Sequence, residues 1–398
     1  MRNQIRMSLA LTLLLLPMVS LFAQEEPAVS AGAEAAAEAT VEEGGFWAQF
    51  KDPEDGKFDM SAYLLEKFAG FMPVPIIITE PAVDDGLGLA GIFFHKPKED
   101  QMKPDEKGKV ILPNISVAGA GITGNDSWFV GGGHFRNWKK DKFRYRGIGG
   151  YADINLDWYP SDDSPMPDDG IGFNLKGAML DQTLFMRVGE SKFLLGAGWR
   201  YTTSELDFGI NSPPDLFSGD SSISGLSAIA LYENVDFQMS PRKGLTIELE
   251  ATFNRDAFGS DFDYDEISWE YRHYLEFGEK WTLSWRIDGA TISGDAPFYA
   301  QPFVKIQGIP AMRYQGPTAA TVEVRGGYDL TPRWTLNAFT GGGRAADSFS
   351  DLSDATTHSS VGGGFRYLIA KALGMRVGID VATSQEGTYF YLVMGSGW

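Results

Sequence analysis

The chain has 398 residues, with 34 Lys plus Arg against 53 Asp plus Glu, a net charge of −19 and no cysteine. An acidic balance argues against nucleic acid as a partner, which needs a basic surface, and the lack of cysteine excludes disulfides, thiolate chemistry and a lipidated cysteine anchor. The 47 glycines and the 10 Trp, 15 Tyr and 27 Phe suit curved sheets with aromatic girdles.

Met1, Arg2 and Arg6 precede an apolar run from Leu9 to Leu16, then Pro17, with the small residue Ala23 ahead of Gln24. This pattern predicts a secretory signal peptide over 1–23. The run is short and broken by Pro17, which disfavours a spanning helix. Without it the chain loses two arginines and no acids, and becomes two charges more negative. Residues 24–58 read as a flexible leader, rich in Ala and Glu at first. Within it Asp52-Pro53-Glu54-Asp55-Gly56 echoes part of a calcium loop, but the spacing and the closing glutamate are missing, so it reads as a turn. Residues 59–73 read as a short amphipathic helix and lead-in segment. Asp59 is the N-cap, Met60, Tyr63, Leu64 and Phe68 share a face, and Gly70 is the stop.

From Val74 onward the period is two. In Leu245-Thr246-Ile247-Glu248-Leu249-Glu250-Ala251-Thr252-Phe253 apolar and polar residues alternate, as they do in Trp281 to Asp288, Ile267 to Arg272 and Met375 to Asp380. Alternation gives each strand one apolar and one polar face. With an export signal and no later run fit for a spanning helix, a closed barrel is the remaining way across a bilayer. The expected fold is therefore all-β: a 16-stranded antiparallel transmembrane β-barrel over 74–398. Strands are expected near 75–83, 86–96, 113–123, 126–137, 143–158, 170–188, 192–207, 223–238, 244–256, 263–276, 281–291, 318–329, 333–345, 358–370, 374–382 and 388–396. Short connections at 240–243 and 330–332 alternate with long acidic ones near 159–169, 208–222, 257–262 and 346–357, the asymmetry of periplasmic turns and extracellular loops. The charged stretch 97–112 departs from it. The 59–70 helix is expected at the periplasmic rim or against the lumen wall.

The polar faces carry the titratable groups. Asp153, Asn155 and Asp157, and Glu248 with Glu250, are expected to face the lumen opposite Arg272, Arg286, Arg325 and Arg376 as ordinary lumen wall. His95, His134, His273 and His358 show no metal or triad spacing, and His358-Ser359-Ser360 reads as solvated loop rather than as a rim esterase. No catalysis, cofactor or metal is expected.

Three segments of the last third resemble the barrel of the BamA/TamA outer-membrane assembly-factor superfamily, also called the bacterial surface antigen family. They are Gly294 to Tyr299 leading to Gly308-Ile309-Pro310-Ala311-Met312-Arg313-Tyr314-Gln315-Gly316; Ala319 to Tyr328 with Thr331 to Trp334 and Phe339 to Arg344; and Gly362 to Tyr367 with Met375 to Asp380 and Tyr389 to Leu392. Val74 to Phe94 resembles the family's first hairpin. The resemblance implies that the sixth extracellular loop folds into the lumen, anchored through Arg313, Tyr314 and Gly316. Where the family has an Arg-Gly pair this chain has Arg313-Tyr314. Where it has an aspartate after Phe-x, this chain has Gly341, so Glu323, Asp288 and Asp380 stand as the candidate partners of Arg313. Phe390, Leu392 and Met394, in alternate places before Trp398, resemble the terminal-strand signal read by the barrel assembly machinery. The family's soluble POTRA domains find no room between Gln24 and Val74. The resemblance implies a bacterial outer-membrane protein of membrane biogenesis or of protein or lipid translocation. Its partners would be the lipid bilayer, lipopolysaccharide and the assembly machinery, with a homo-oligomer left open. The alternative is a passive channel or structural barrel.

Overall fold

The computed structural model describes residues 50–66, 71–95, 114–159, 170–208, 219–236, 240–371 and 374–395. Sixteen antiparallel strands follow one another in sequence order around one sheet, which curls into a nearly closed barrel. They are β1 (Phe71–Ile78), β2 (Gly86–Phe94), β3 (Ile115–Thr123), β4 (Trp128–Trp138), β5 (Phe143–Trp158), β6 (Ile171–Arg187), β7 (Phe193–Asp207) and β8 (Gly219–Val235). The second half comprises β9 (Gly244–Asn254), β10 (Tyr264–Phe277), β11 (Trp281–Gly294), β12 (Thr318–Asp329), β13 (Trp334–Ala346), β14 (His358–Ala370), β15 (Met375–Ser384) and β16 (Gly387–Met394).

Among the described residues β1 and β16 share no ladder. Part of the reason lies in β1 itself. Pro73 and Pro75 stand opposite Gly91 and Leu89, two residues apart and so on one side of the strand. Neither has an N–H to donate, which suits only an edge. The first strand also departs from expectation in its bounds. It starts at Phe71, and the expected end at 81–83 is a 3-10 turn, opened by Pro81 and left through Asp84 at φ 63. The remaining bounds differ by a few residues, most at β8, which begins before the expected 223.

The helix expected over 59–70 appears as α1 (Ser61–Glu66), with Asp59 accepting from Ser61 N at 2.6 Å as a cap does. Met60 and Tyr63 pack on Ala370 and Met375, where β14 ends and β15 begins. The signal segment 1–23, most of the leader, Phe68 with Gly70, the stretch 97–112 and Trp398 lie outside the described residues. Among the described residues no helix is long and apolar enough to cross a membrane.

The apolar face is the outer one. Leu249, Phe253, Ile267, Trp281, Val322 and Val324 are exposed, whereas Thr252, Asn254, Thr321 and Glu323 on the opposite faces are buried. In β4 to β6 the interior departs from this scheme. Phe129, Ile154, Leu156, Phe173 and Leu175 are buried on the inner face in one apolar cluster. The expectation that Asp153, Asn155 and Asp157 face the lumen is therefore wrong. Asp153 pairs with Trp128, and Tyr151 with Val130, both of which are exposed on the outer wall. Paired residues share a face, so the polar triplet looks outward near the barrel's rim.

Candidate functional site

What fills that apolar interior is the connection between β11 and β12, residues 295–317. Phe298 sits among Trp158, Phe173 and Phe208, with ring centroids 5.0, 5.4 and 6.1 Å away. Ala311 N donates to Glu80 at 3.1 Å, beside the β1–β2 turn. On the other arc of the ring, Lys305 N donates to Thr321 at 3.3 Å and Gly308 N to the Tyr391 hydroxyl at 2.8 Å, while Ser384 donates to Gly308 O at 2.5 Å. The connection thus touches β5 and β6 as well as β12, β15 and β16. Tyr299 and Met312 are wholly buried in it. Met312 adopts φ 64, a left-handed conformation rare outside glycine and held here by packing on every side. At Gly308, φ 98, a Cβ would lie 3.1 Å from Ser360 and 3.3 Å from Ala382, so only glycine passes that close to the wall.

Arg313 donates through Nε to Glu386 at 2.8 Å, and its guanidinium lies 4.3 Å from the Tyr159 ring centroid. Tyr314 donates to the other Glu386 oxygen and stacks on His358 with 3.3 Å between centroids. Burial alone would raise the Glu386 carboxyl, but the hydrogen bonds from Tyr314 and Arg313 outweigh it and hold the group below its ordinary value. Burial, with the same carboxylate, pushes the Tyr314 hydroxyl up to about 12. Gly316 N closes the neck of the connection on Pro302 O at 3.0 Å.

None of the expected partners holds Arg313. Asp380 lies between Arg325 at 2.8 Å and Arg366 at 2.7 Å, Glu323 faces Arg325 at 3.3 Å, and Asp288 faces Arg286 at 3.1 Å. Sequence reasoning ranked carboxylates by inward strand parity, and Glu386 sits in the β15–β16 turn, which has none. His358, expected in a solvated loop, opens β14 and forms the stacking surface for Tyr314.

Strand pairing also supplies a serine that spacing along the chain did not reveal. Ser116 pairs with His134 across β3 and β4, and its Oγ lies 2.9 Å from His134 Nδ1 and 2.8 Å from His95 Nε2. All three share the parity of exposed Leu89, Phe93, Ile122 and Val130, hence the outer wall. On β16, Phe390, Leu392 and Met394 are exposed on the same outer face.

No family model matches the sequence, and no curated protein matches it. Solved structures do. BamA from Haemophilus ducreyi lacking POTRA domains 1–3 superposes over 87% of this chain and 80% of its own, with a TM-score of 0.55 and 12% identity. CdiB from Acinetobacter baumannii covers 81% of this chain (TM-score 0.52, 8% identity), and CdiB from Escherichia coli also 81% (0.53, 10%). This chain spans 59% and 62% of those two CdiB chains. At such identities the likeness is one of fold: a 16-stranded barrel of the outer-membrane kind.

Proposed function

We propose that this chain is an integral outer-membrane barrel of the BamA/TamA-like type, acting in membrane biogenesis or in moving protein or lipid at the membrane, and catalysing no covalent reaction. The short-turn end of the barrel is then periplasmic and the 295–317 connection is the sixth extracellular loop, folded inward. The observation that carries this reading is that connection, bound to both arcs of the wall and pinned by Arg313 and Tyr314 to Glu386. A lumen occupied by its own loop is poorly suited to free diffusion, which disfavours the passive channel. Fold alone does not supply the role. Cells depleted of the protein should show less heat-modifiable, folded barrel protein in the outer membrane, or lipid displaced between its leaflets. If both stay normal, the biogenesis reading fails.

The plug has its own test. Arg313→Ala removes one member of a half-buried pair, at about 2 kcal/mol given its partial exposure. In planar bilayers the wild type should be nearly silent, and Arg313→Ala should show raised conductance with residues 296–316 open to protease. Glu386→Gln should do the same and Glu323→Gln should not. Unaltered conductance and loop protection in Arg313→Ala would mean that the loop is not anchored there.

A further inference from the structure

At the end of β2 to β5 that carries the β4–β5 turn the outer wall changes character. The apolar surface of Leu87, Leu89, Val130 and Leu184 gives way to a cleft of about 470 Å³ lined by His134, Arg136, Trp138 and Tyr145. The cleft adjoins the hydrogen-bonded chain His95–Ser116–His134. Arg136 is exposed, with its guanidinium 5.5 Å from the Trp138 ring centroid. Immediately below, the β4–β5 turn exposes Lys139, Lys140 and Lys142. In a chain of net charge −19 this is a local concentration of cations, and it lies where alternation places lipid.

The turn is strained. Lys139, Lys140 and Asp141 have φ of 54, 54 and 61, three consecutive left-handed residues without a glycine. Each costs about 1–2 kcal/mol relative to ordinary backbone. The strain is held from inside: the buried Asp141 carboxylate accepts from Arg144 Nε at 2.6 Å and from Arg187. Glycine would satisfy the same backbone without strain, so the lysines are kept for their side chains: both bring charge, and the Lys139 ammonium also lies 5.4 Å from the Phe143 ring centroid. Strain kept at a surface turn is a sign of use.

We propose that this cleft binds the phosphate headgroup of a bilayer glycerophospholipid, anionic in preference to zwitterionic. Arg136 and the turn lysines provide the charge, the outer ring nitrogen of His134 the hydrogen bond (the Ser116 hydroxyl is engaged between the two imidazoles and that of Tyr145 with Gln182), and Trp138 with Phe143, stacked at 5.5 Å, the interfacial aromatic shelf. The acyl chains run along the apolar wall above. The assignment rests on the outer-membrane reading, since only a chain in a bilayer meets such a ligand there. Binding rather than ester hydrolysis follows from the backbone around Ser116. Its amides sit between β2 and β4 in the ladder, which leaves no pair of N–H groups to stabilise an oxyanion.

The test is native mass spectrometry of the full chain released from lipid and titrated with phosphatidylglycerol, with diacylglycerol of the same acyl chains and inorganic phosphate as the other arms. Phosphatidylglycerol should bind one equivalent that diacylglycerol does not match and that millimolar phosphate does not displace. The double variant Lys139→Gly, Lys140→Gly should bind about fivefold more weakly per lysine removed while its thermal midpoint holds or rises. Arg136→Ala should weaken binding similarly. Equal binding of diacylglycerol, displacement by inorganic phosphate, or glycine variants that keep wild-type affinity would each overturn the proposal. If depletion shows no biogenesis role but lipid still binds, the site stands and only the wider function falls.

Discussion

Asp380→Ala should lower barrel stability by about 3–5 kcal/mol, the range for removing one partner of a buried ion cluster. Asp380 is wholly buried on the inner face of β15. It accepts from Arg325 at 2.8 Å and from both terminal nitrogens of Arg366 at 2.7 Å. Glycines in β14 make the room. A Cβ at Gly364 would lie 2.2 Å from the Asp380 carboxylate, and one at Gly362 would lie 2.2 Å from the Phe339 ring, over which the Arg325 guanidinium sits at 4.1 Å. Arg325 reaches on to Gln307 at 2.9 Å, so the same cluster ties the wall to the inward connection. Alanine at 380 leaves Arg366 without its carboxylate and Arg325 facing it with Glu323 as the remaining anion. Urea unfolding of protein refolded into vesicles would read the loss. The quadruple change Asp380→Leu, Glu323→Leu, Arg325→Met, Arg366→Met should recover much of it, because replacing a whole buried cluster by apolar side chains is close to neutral. A midpoint unmoved by Asp380→Ala would mean that water, not Asp380, solvates the two arginines.

Asp380 shows what the sequence could and could not disclose. Its inward parity was legible, because Met375 to Asp380 alternates without a break, and the same period of two located nearly every strand. Its partners were not, because Arg325 is 55 residues away and the choice among inward carboxylates depends on which strands are neighbours. Glu386 was missed for a related reason: it lies in a turn, 73 residues from Arg313. The reversed facing of Asp153, Asn155 and Asp157 has another cause. Alternation yields two faces but not which one meets lipid, and the rule that polar means inward fails where the lumen is packed with a loop. Phe129, Ile154, Leu156, Phe173 and Leu175 face that loop, so near the rim the polar residues were left for the outside. The glycines at 362 and 364, read from sequence only as a family likeness, are spaces for Phe339 and Asp380.

Arg333→Ala should release residues 50–66 from the barrel while leaving the barrel folded. Asp52-Pro53-Glu54-Asp55-Gly56 forms a tight turn, with Gly56 N bonded to Asp52 O at 2.8 Å and Gly56 at φ 65. The turn brings Asp52, Asp55 and Asp59 around Arg333, which lies between β12 and β13, 274–281 residues further along. The carboxylates that echo a calcium loop thus hold a guanidinium. Arg333 Nε meets Asp55 at 2.7 Å, and its other nitrogens serve Asp59, Asp52 and Leu368 O, using the planar fork that lysine lacks. Tyr367 adds a hydrogen bond to Phe58 O at 2.8 Å. Beyond this cluster the segment meets the barrel through Met60 N on Ile369 O at 2.7 Å, Lys371 N on Asp59 at 3.0 Å, the Lys371 ammonium on Glu54, and the packing of Met60 and Tyr63 on Ala370. Losing a buried arginine with three anions around it costs about 3 kcal/mol, which is enough to free so small a unit. Limited proteolysis within 50–66 should then quicken at least tenfold, with Arg333→Lys in between and the strand content unchanged. The dependence on pH has a definite sign. The hydrogen bond from Arg333 holds the Asp55 carboxyl below its ordinary value. A depressed carboxyl contributes fully above its unfolded pKa of about 3.9 and loses that contribution as pH falls through the folded value. The segment should therefore stay docked at neutral pH and loosen only below about pH 4. Protection of 50–66 that survives Arg333→Ala would show that these other contacts alone suffice, and that the aspartate cluster is incidental to docking.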